Sequence, residues 1–318
     1  PFYLAYQGRN DVDLQSTYGA LECRALTDDA LAKPCFIPLQ PGARIRVGVV
    51  SGFFRDHPNW RIPTRGWVAG LDKARFEIFG FHTGLLRDER TKEAATLCDH
   101  FIQGPHPAAV WRERILQAGL HILIYPEIGM DPITAQLAAM RLAPIQCNSW
   151  GHPTTSGYPT LDYFLSSDLM EPADGELHYS ERLVRLPGLS SAPEQRQFST
   201  PVPTRERLGL SRGGPIFWCG QSLYKYLPEF DAIYPRIARG VGHGQFVFIE
   251  FPGSPELTAR FRERLRRAFA SLDLDSAEFC RFLPRLTTGQ YAAAIGVSTV
   301  VLYSIGWSGC HSTLDALV

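Results

Sequence analysis

The sequence predicts an α/β protein of two doubly wound lobes, each built on a parallel sheet that helices cover on both faces. Three observations predict this class. Short apolar runs alternate with amphipathic stretches along most of the 318 residues, a polar segment without periodicity interrupts them at 189–210, and the alternation then resumes. The length is enough for two domains of about 100–200 residues each.

The first lobe is predicted at residues 41–188, after an N-terminal region of connecting helices at 1–40. Its strands are short apolar runs, which we place at 44–50, 76–82, 121–126, 144–150, 161–167 and 182–187. Helical stretches lie between them, at 63–72, 88–98, 107–118 and 132–141. Strand, helix and strand at this spacing build a parallel sheet with helices on both faces.

The second lobe is predicted at residues 211–318, after a linker rich in Ser, Pro and Gln at 189–210. Its strands are placed at 215–220, 245–251, 281–284 and 298–303, and its helices at 228–239, 255–271 and 288–295. The last residues read "STLDALV", where Ser312 can cap a helix that has just begun. We therefore expect this lobe to be incomplete in the sequence.

Composition and charge exclude several classes of protein. Lysine plus arginine and aspartate plus glutamate both number 32, so no basic excess points to a nucleic-acid partner. Apolar runs stay well short of the ~20 residues that span a bilayer, and the N-terminus lacks the pattern of a secretory signal. The seven cysteines show no CxxC spacing. We expect reduced thiols, no zinc site and a cytoplasmic location.

Polar loops at the carboxyl ends of the strands are the places where ligands bind in open parallel sheets. His57 lies in such a loop, "SGFFRDHPNW", and a histidine there can take a proton from a hydroxyl group or simply make a local hydrogen bond. His121 opens the strand at 121–126, at the end away from the expected cleft, as a core-edge histidine would. Glu127 and Asp131 follow that strand and either contact a ligand or cap a helix.

A third loop of the first lobe, "NSWGHPTTSGYP", is rich in small residues. It contains Gly151, His152, Pro153, Thr154 and Thr155. Such a loop can bring backbone amides close to a sugar or a phosphate, and the alternative is an ordinary turn.

Two loops of the second lobe fit a phosphorylated ligand. The first holds Gln221, Ser222 and Lys225, and its lysine either neutralises the charge on a leaving diphosphate or is an ordinary surface lysine. The other holds Cys310, His311, Ser312 and Thr313 at a helix start, with Asp315 one turn later. Unpaired amides there can bind phosphate and Asp315 can accept ribose hydroxyls, unless this is only a capped helix.

Absent motifs narrow the chemistry. No GxGxxG follows the first strand, no P-loop occurs, and no DxD motif lies in the loops after the predicted strands, where it could hold a metal on a diphosphate. Polar loops at the strand ends of two facing lobes therefore indicate an enzyme that uses a nucleotide sugar without a metal ion.

Several long motifs, in order along nearly the whole chain, resemble the O-GlcNAc transferase family, which includes SPINDLY-type fucosyltransferases. They read "RVGVVSGFFRDHPNW", "LAPIQCNSWGHPTTSGYPTLDYFLSSDLMEP", "HYSERLVRLPGL", "CGQSLYKYLP" and "GWSGCHSTLDAL". The resemblance implies a GT-B fold, with two Rossmann-like lobes and an active site between them. It also implies inverting, metal-independent transfer of a sugar from a nucleoside diphosphate to serine or threonine hydroxyls of proteins.

The resemblance assigns roles to individual residues. His57 matches a histidine near the reacting centre, His121 a second histidine, and Lys225 the lysine that contacts the diphosphate. The remaining matches are Gly151 to Thr155 beside the donor sugar, Arg285 and Leu286 around the base, Cys310 to Thr313 at the phosphates, and Asp315 on the ribose. The sequence departs from the family at Ser222, which stands where a glutamine is usual, at Cys310 and His311, and at Ala118, which replaces an acidic residue.

These departures leave the donor open. We expect UDP-GlcNAc, with GDP-fucose transfer or a non-catalytic scaffold of the same fold as alternatives. No cofactor and no metal are expected, and the partners would be acceptor proteins or peptides, with no nucleic acid and no membrane. By resemblance, tetratricopeptide repeats would precede the catalytic region in the full-length protein.

Overall fold

A computed structural model describes residues 2–26, 36–152, 154–193, 204–211, 213–307 and 311–317, apart from the side chains of 311 and 315. The chain divides into two compact units. The first comprises Pro1–Phe2 and Asn10–Glu194, and the second comprises Tyr3–Arg9 and Gln195–Val318. Residues 194–203 of the predicted linker lie outside the described part of the chain.

The first unit contains a seven-stranded parallel sheet in the order β3-β2-β1-β4-β5-β6-β7. Its strands are β1 (Ile45–Ser51), β2 (Phe76–His82), β3 (His100–Gln103), β4 (Ile122–Tyr125), β5 (Ile145–Ser149), β6 (Tyr163–Ser167) and β7 (Arg182–Leu186). Six were predicted. The edge strand β3 was missed because four residues beginning with an exposed histidine give too short an apolar run.

Five α-helices belong to the first unit in the described residues. They are α1 (Val12–Leu26), α2 (Arg65–Gly70), α3 (Glu89–Leu97), α4 (Ala108–Gln117) and α5 (Pro132–Ala138). The helix predicted at 63–72 differs, because a π-helical turn at Trp60–Thr64 precedes α2. Pro63 lies within this turn and has no N–H for a regular helical hydrogen bond, which favours the wider turn.

The second unit contains a four-stranded parallel sheet in the order β10-β9-β8-β11. Its strands are β8 (Ile216–Cys219), β9 (Gln245–Ile249), β10 (Cys280–Leu283) and β11 (Val300–Val301). Its helices are α6 (Ile233–Val241), α7 (Pro255–Ala270), α8 (Ser276–Phe279), α9 (Thr288–Gly296) and α10 (His311–Leu317). Short 3-10 turns at Leu223–Lys225 and Pro228–Phe230 connect β8 to α6.

Both sheets have an apolar core on each face, as the doubly wound prediction requires. Val49 and Val50 of β1 point to opposite faces and belong to different clusters of buried side chains. In the second unit, Phe217 and Trp218 of β8 divide in the same way. The α/β class with two parallel sheets is therefore confirmed.

Each sheet reverses its strand order at one point, between β1 and β4 in the first unit and between β8 and β11 in the second. Beyond the carboxyl ends of such a strand pair the connections diverge to opposite faces, which leaves a crevice for ligands. These two places are therefore where functional side chains are expected. Within the described residues, no helix has both the length and the hydrophobicity to cross a membrane.

Candidate active site

In the first unit, three loops contact one another beyond the carboxyl ends of β1 and β4. The Gly52 N–H donates to Oε1 of Glu127 at 3.1 Å. The Gly151 N–H donates to the Pro126 carbonyl at 2.9 Å. A Cβ on Gly151 would overlap that carbonyl oxygen and come within 3.2 Å of the side-chain nitrogen Nδ2 of Asn59. Only glycine therefore permits this approach.

Glu127 is the buried carboxyl group at this strand end, with 1% of its surface exposed. Burial raises its pKa to about 8, and the charge of Asp131 acts in the same direction. Hydrogen bonds from the Ser51 hydroxyl and the Gly52 N–H lower it, but less strongly. Glu127 therefore holds a proton in the folded protein at neutral pH.

His57 lies in the loop after β1, half-buried and stacked on the ring of Phe53 with centroids 4.2 Å apart. Its Nδ1 accepts the Asn59 N–H at 3.2 Å. Because Nδ1 is the acceptor, the neutral ring carries its proton on Nε2. In that ring form Nε2 can donate a hydrogen bond, and the role of His57 as a proton acceptor stays a prediction.

His121 lies at the amino end of β4, directly before Ile122. Its Nδ1 accepts the Arg46 N–H at 2.9 Å, and burial, followed by the charge of Arg46, lowers its pKa. Four strand residues, or about 13 Å of strand, separate it from the carboxyl edge. The structure therefore does not bring His121 together with His57 and Glu127, and its predicted catalytic role gains no support.

The hydroxyl groups of the small-residue loop are used within the fold. The Thr155 hydroxyl donates to Oε2 of Glu181 at 2.6 Å, and the Ser156 hydroxyl donates to Oε1 of the same buried carboxylate. Thr154 is half-buried, and Pro153 lies outside the described residues. Thr155 thus has a structural partner, and its contact with a donor sugar stays a prediction.

A cavity of about 290 Å³ opens beside the same loop. His152 and Thr155 line it together with Phe2, Gln15, Glu22 and Tyr158. The His152 ring stacks on Phe2 with centroids 4.5 Å apart, and Glu22 accepts the Tyr158 hydroxyl. Among the described residues that line the cavity there are carboxyl groups but no lysine or arginine, so it suits a neutral or cationic group rather than a phosphate.

In the second unit, a chain of hydrogen bonds joins the two loops that the sequence singled out. Lys225 Nζ donates to Oε1 of Gln221 at 3.3 Å. The Gln221 amide nitrogen in turn donates to the Ser312 hydroxyl at 2.7 Å. Gln221 directly follows Gly220 at the end of β8, and Ser312 lies in the first turn of α10. The lysine and the helix start are therefore one side chain apart.

Two aromatic rings contact the Lys225 ammonium group. Its Nζ lies 5.2 Å from the centre of the Tyr6 ring and 5.6 Å from that of Trp307. These rings meet edge to face, with centroids 4.4 Å apart. Such contacts attract a cation without removing its charge.

The other predicted residues of the second unit lie at several places in its sequence, and some of them lie outside the described residues. Ser222 begins the 3-10 turn that carries Lys225, and its carbonyl accepts the Lys225 N–H at 3.0 Å. Arg285 is exposed just after β10, where Leu286 packs on the apolar core. Thr313 is half-buried. Cys310 and the side chains of His311 and Asp315 lie outside the described residues.

Sequence reasoning missed Tyr6, Trp307 and Asn59. Tyr6 lies in "PFYLAY" near the start of the sequence, and Trp307 lies in the motif "GWSGCHSTLDAL". Nothing local marks either ring as a partner of Lys225, because the contact depends on residues far apart in the sequence. Asn59 could have been found, since it follows His57 and Pro58 in a strand-end loop.

The model of glycosyl transferase family 41 matches residues 30–198 of this chain, which is more than half of its length. An Arabidopsis thaliana protein named probable UDP-N-acetylglucosamine–peptide N-acetylglucosaminyltransferase SEC is 26% identical over 69% of this chain. A Solanum lycopersicum protein with the corresponding name and the designation SPINDLY is 31% identical over 56%. The matches span 23% and 19% of those proteins, so the chain corresponds to a fraction of each relative.

A solved structure shares the fold. It is a mutant O-GlcNAc transferase from Thermobaculum terrenum, which superposes with a TM-score of 0.78 at 22% identity. The match covers 99% of this chain and 59% of that one. It confirms the predicted GT-B class.

Proposed function

Because the chain belongs to glycosyl transferase family 41, we propose that it transfers a sugar from a nucleoside diphosphate to serine or threonine hydroxyls of proteins. The proposed donor is UDP-GlcNAc, which the names of the plant relatives favour. The proposed reaction is a single displacement with inversion and needs no metal ion. Protein acceptors, like the donor, are part of the proposal.

One observation carries the proposal: the hydrogen-bonded chain from Lys225 through Gln221 to Ser312 at the switch point of the second sheet. A fixed ammonium group there can stabilise the negative charge that develops on a departing diphosphate. Gln221 is 5% exposed, so it is held in place before any ligand arrives. This preorganisation is what electrostatic catalysis requires.

The acceptor hydroxyl oxygen would form a bond to the anomeric carbon as the bond from that carbon to the diphosphate oxygen breaks. The electron pair of the broken bond leaves with the diphosphate. Because His57 already uses Nδ1 as an acceptor, we assign it as a donor rather than the base. The acceptor proton then passes to an oxygen of the departing diphosphate.

The first experiment compares donors. The protein is incubated with acceptor peptides rich in serine and threonine and with either UDP-GlcNAc or GDP-fucose, and the peptides are analysed by mass spectrometry. We expect addition of one N-acetylhexosamine from UDP-GlcNAc. Addition of deoxyhexose alone would replace the proposed donor, and transfer from neither would favour a non-catalytic scaffold.

The second experiment tests Lys225. Replacing it in Lys225→Met keeps an unbranched side chain and removes the charge, and we expect turnover to fall about 10²–10³-fold, as when an oxyanion-stabilising donor is lost. The matched control is Lys92→Met, which removes an exposed lysine paired with Glu89 on α3. Equal turnover in both variants would exclude Lys225 from the mechanism.

A further inference from the structure

We propose that Tyr6 and Trp307 are positioning residues that hold the Lys225 ammonium group where the diphosphate leaves. The pair is called the aromatic clamp below. This inference rests on the proposed function, because it assigns the two rings a part in the same reaction. It is drawn from the packing of the second unit, where both rings contact the lysine.

The geometry of the clamp restricts the ammonium group on more than one side. Nζ lies 5.2 Å from the Tyr6 ring centre and 5.6 Å from the Trp307 ring centre, both within the ~6 Å range of a cation–π contact. Gln221 Oε1 accepts a hydrogen bond from the same atom at 3.3 Å. A lysine side chain otherwise samples many rotamers, so these contacts reduce the ordering cost when a ligand binds.

A glycine lies close to each ring in the sequence, and both glycines approach the same leucine. Gly8 and Gly306 both have positive φ, at 66° and 86°. A Cβ would lie 3.3 Å from Cδ1 of Leu227 at Gly8 and 3.1 Å from the same atom at Gly306. The segment Tyr3–Arg9 and the loop after β11 thus both pack on Leu227. Tyr3–Arg9 belongs to the second unit, as Leu227 and Trp307 do.

Trp307 and Tyr6 each make a further contact, one through the backbone and the other through the ring. Ser304 is 3% exposed, and its hydroxyl donates to the Trp307 carbonyl at 3.0 Å. Tyr6 is 5% exposed and contacts the Tyr224 ring, with centroids 5.0 Å apart. Burial raises the pKa of Tyr6, so its hydroxyl stays neutral where transfer is measured. The ring therefore acts through its face and not as an anion.

A clamp of rings differs in effect from a carboxylate partner. A carboxylate would cancel the lysine charge and compete with the diphosphate. Aromatic faces attract the cation by their quadrupole and leave its net charge unchanged. The aromatic clamp therefore orders Lys225 while preserving the positive charge that the leaving group needs.

The test compares Tyr6→Leu with Tyr6→Phe. We expect kcat to fall about 3- to 30-fold in Tyr6→Leu, the range of a partly desolvated cation–π contact. Tyr6→Phe keeps the ring face and should restore most of the loss. In the Lys225→Met background, Tyr6→Leu should cost nothing further, because the cation is already gone. The matched control is Tyr3→Leu, whose exposed ring contacts Tyr224.

A second readout does not depend on activity. The rate at which an amine-reactive acetylating reagent modifies Lys225 is followed by mass spectrometry, with Lys92 as the internal reference. We expect faster modification in Tyr6→Leu and an unchanged rate in Tyr6→Phe. Thermal unfolding checks that Tyr6→Leu is folded. If Tyr6→Leu does not fold, the same comparison is made with Trp307→Leu, because Trp307 is only half-buried.

The outcomes separate the two proposals. Transfer with equal kcat and equal Lys225 modification in wild type and Tyr6→Leu would overturn the clamp and leave the proposed function standing. Absence of transfer in the wild type would overturn the proposed function, and the modification rates would still decide the clamp. A kcat loss in Tyr6→Leu that persists in the Lys225→Met background would also contradict it, because the ring would then act independently of the lysine.

Discussion

Glu127 illustrates how position and burial decide the chemistry of a single side chain. Its place after β4 was predicted from the sequence, as a ligand contact or a helix cap. The structure instead gives it an N–H from Gly52 and almost complete burial. The cap of α5 is Asp131, whose carboxylate accepts the Thr134 N–H at 3.0 Å. Sequence could locate both carboxyl groups but not divide these roles, since burial is a tertiary property.

The raised pKa of Glu127 makes a prediction about stability. Its pKa is about 8 in the folded chain against 4.5 ordinarily, so the folded state binds the proton more tightly. The contribution of this proton to the free energy of unfolding is fully present below about pH 4.5. It is lost as the pH rises through about 8, at a rate of at most about 1.4 kcal/mol per pH unit. Glu127→Gln cannot ionise and should retain more of its unfolding free energy between pH 5 and pH 9.

Urea unfolding across this pH range measures the difference. Asp131 is the charged neighbour that acts on Glu127, and it is unchanged in the variant. Glu113→Gln on the exposed face of α4 is the control and should follow the wild type. Parallel pH profiles for wild type and Glu127→Gln would contradict the assignment of a buried, protonated Glu127.

At the scale of elements, α1 packs on the small-residue loop through two glycines. A Cβ on Gly19 of α1 would overlap the Gly157 carbonyl, and a Cβ on Gly157 would overlap the Gln15 carbonyl. Gly157 also has a φ of 76°, which favours glycine. The loop and the helix therefore approach at backbone distance, and neither glycine can be read as an ordinary break in its element.

This contact reverses the usual sign of a glycine substitution in a helix. Alanine is the better helix former by about 1 kcal/mol, so Gly240→Ala in α6, where a Cβ meets open space, should stabilise the protein by up to that amount. Gly19→Ala should instead destabilise it by about 1–3 kcal/mol through overpacking. Denaturant unfolding of both variants checks the prediction, and stabilisation by Gly19→Ala would refute the backbone contact.

Element boundaries were predictable where local signals agreed. Strand β2 was placed at its observed residues because an apolar run is bounded by polar ones. Strand β11 is shorter than its apolar run, since only Val300 and Val301 pair with β8. The π-helical turn at Trp60–Thr64 has no periodic signature of its own. Pairing partners and turn geometry, rather than hydrophobicity, set these ends.

For the whole molecule, the sequence predicted two parallel sheets but not their strand order. Order depends on which strands pair across the chain, as when β4 adds beside β1 rather than beside β3. This non-local choice creates the switch points that bring Gln221 close to Ser312. The lysine and the helix start could therefore be named from sequence, whereas their connection and the aromatic clamp could not.

The two-unit organisation predicts which segments of the chain a bound nucleotide protects from hydrogen exchange. UDP that binds native protein stabilises it, by about 2.7 kcal/mol at 100 times its Kd. We expect hydrogen exchange to slow at 221–225 and 311–317 of the second unit, because the Lys225–Gln221–Ser312 chain links these segments.

GDP at equal concentration tests whether the protein prefers the uracil or the guanine base. Lys225→Met should lose the protection, and Lys92→Met should keep it. Protection confined to 52–59 in the first unit would contradict the assignment, because the diphosphate would then bind at the first sheet.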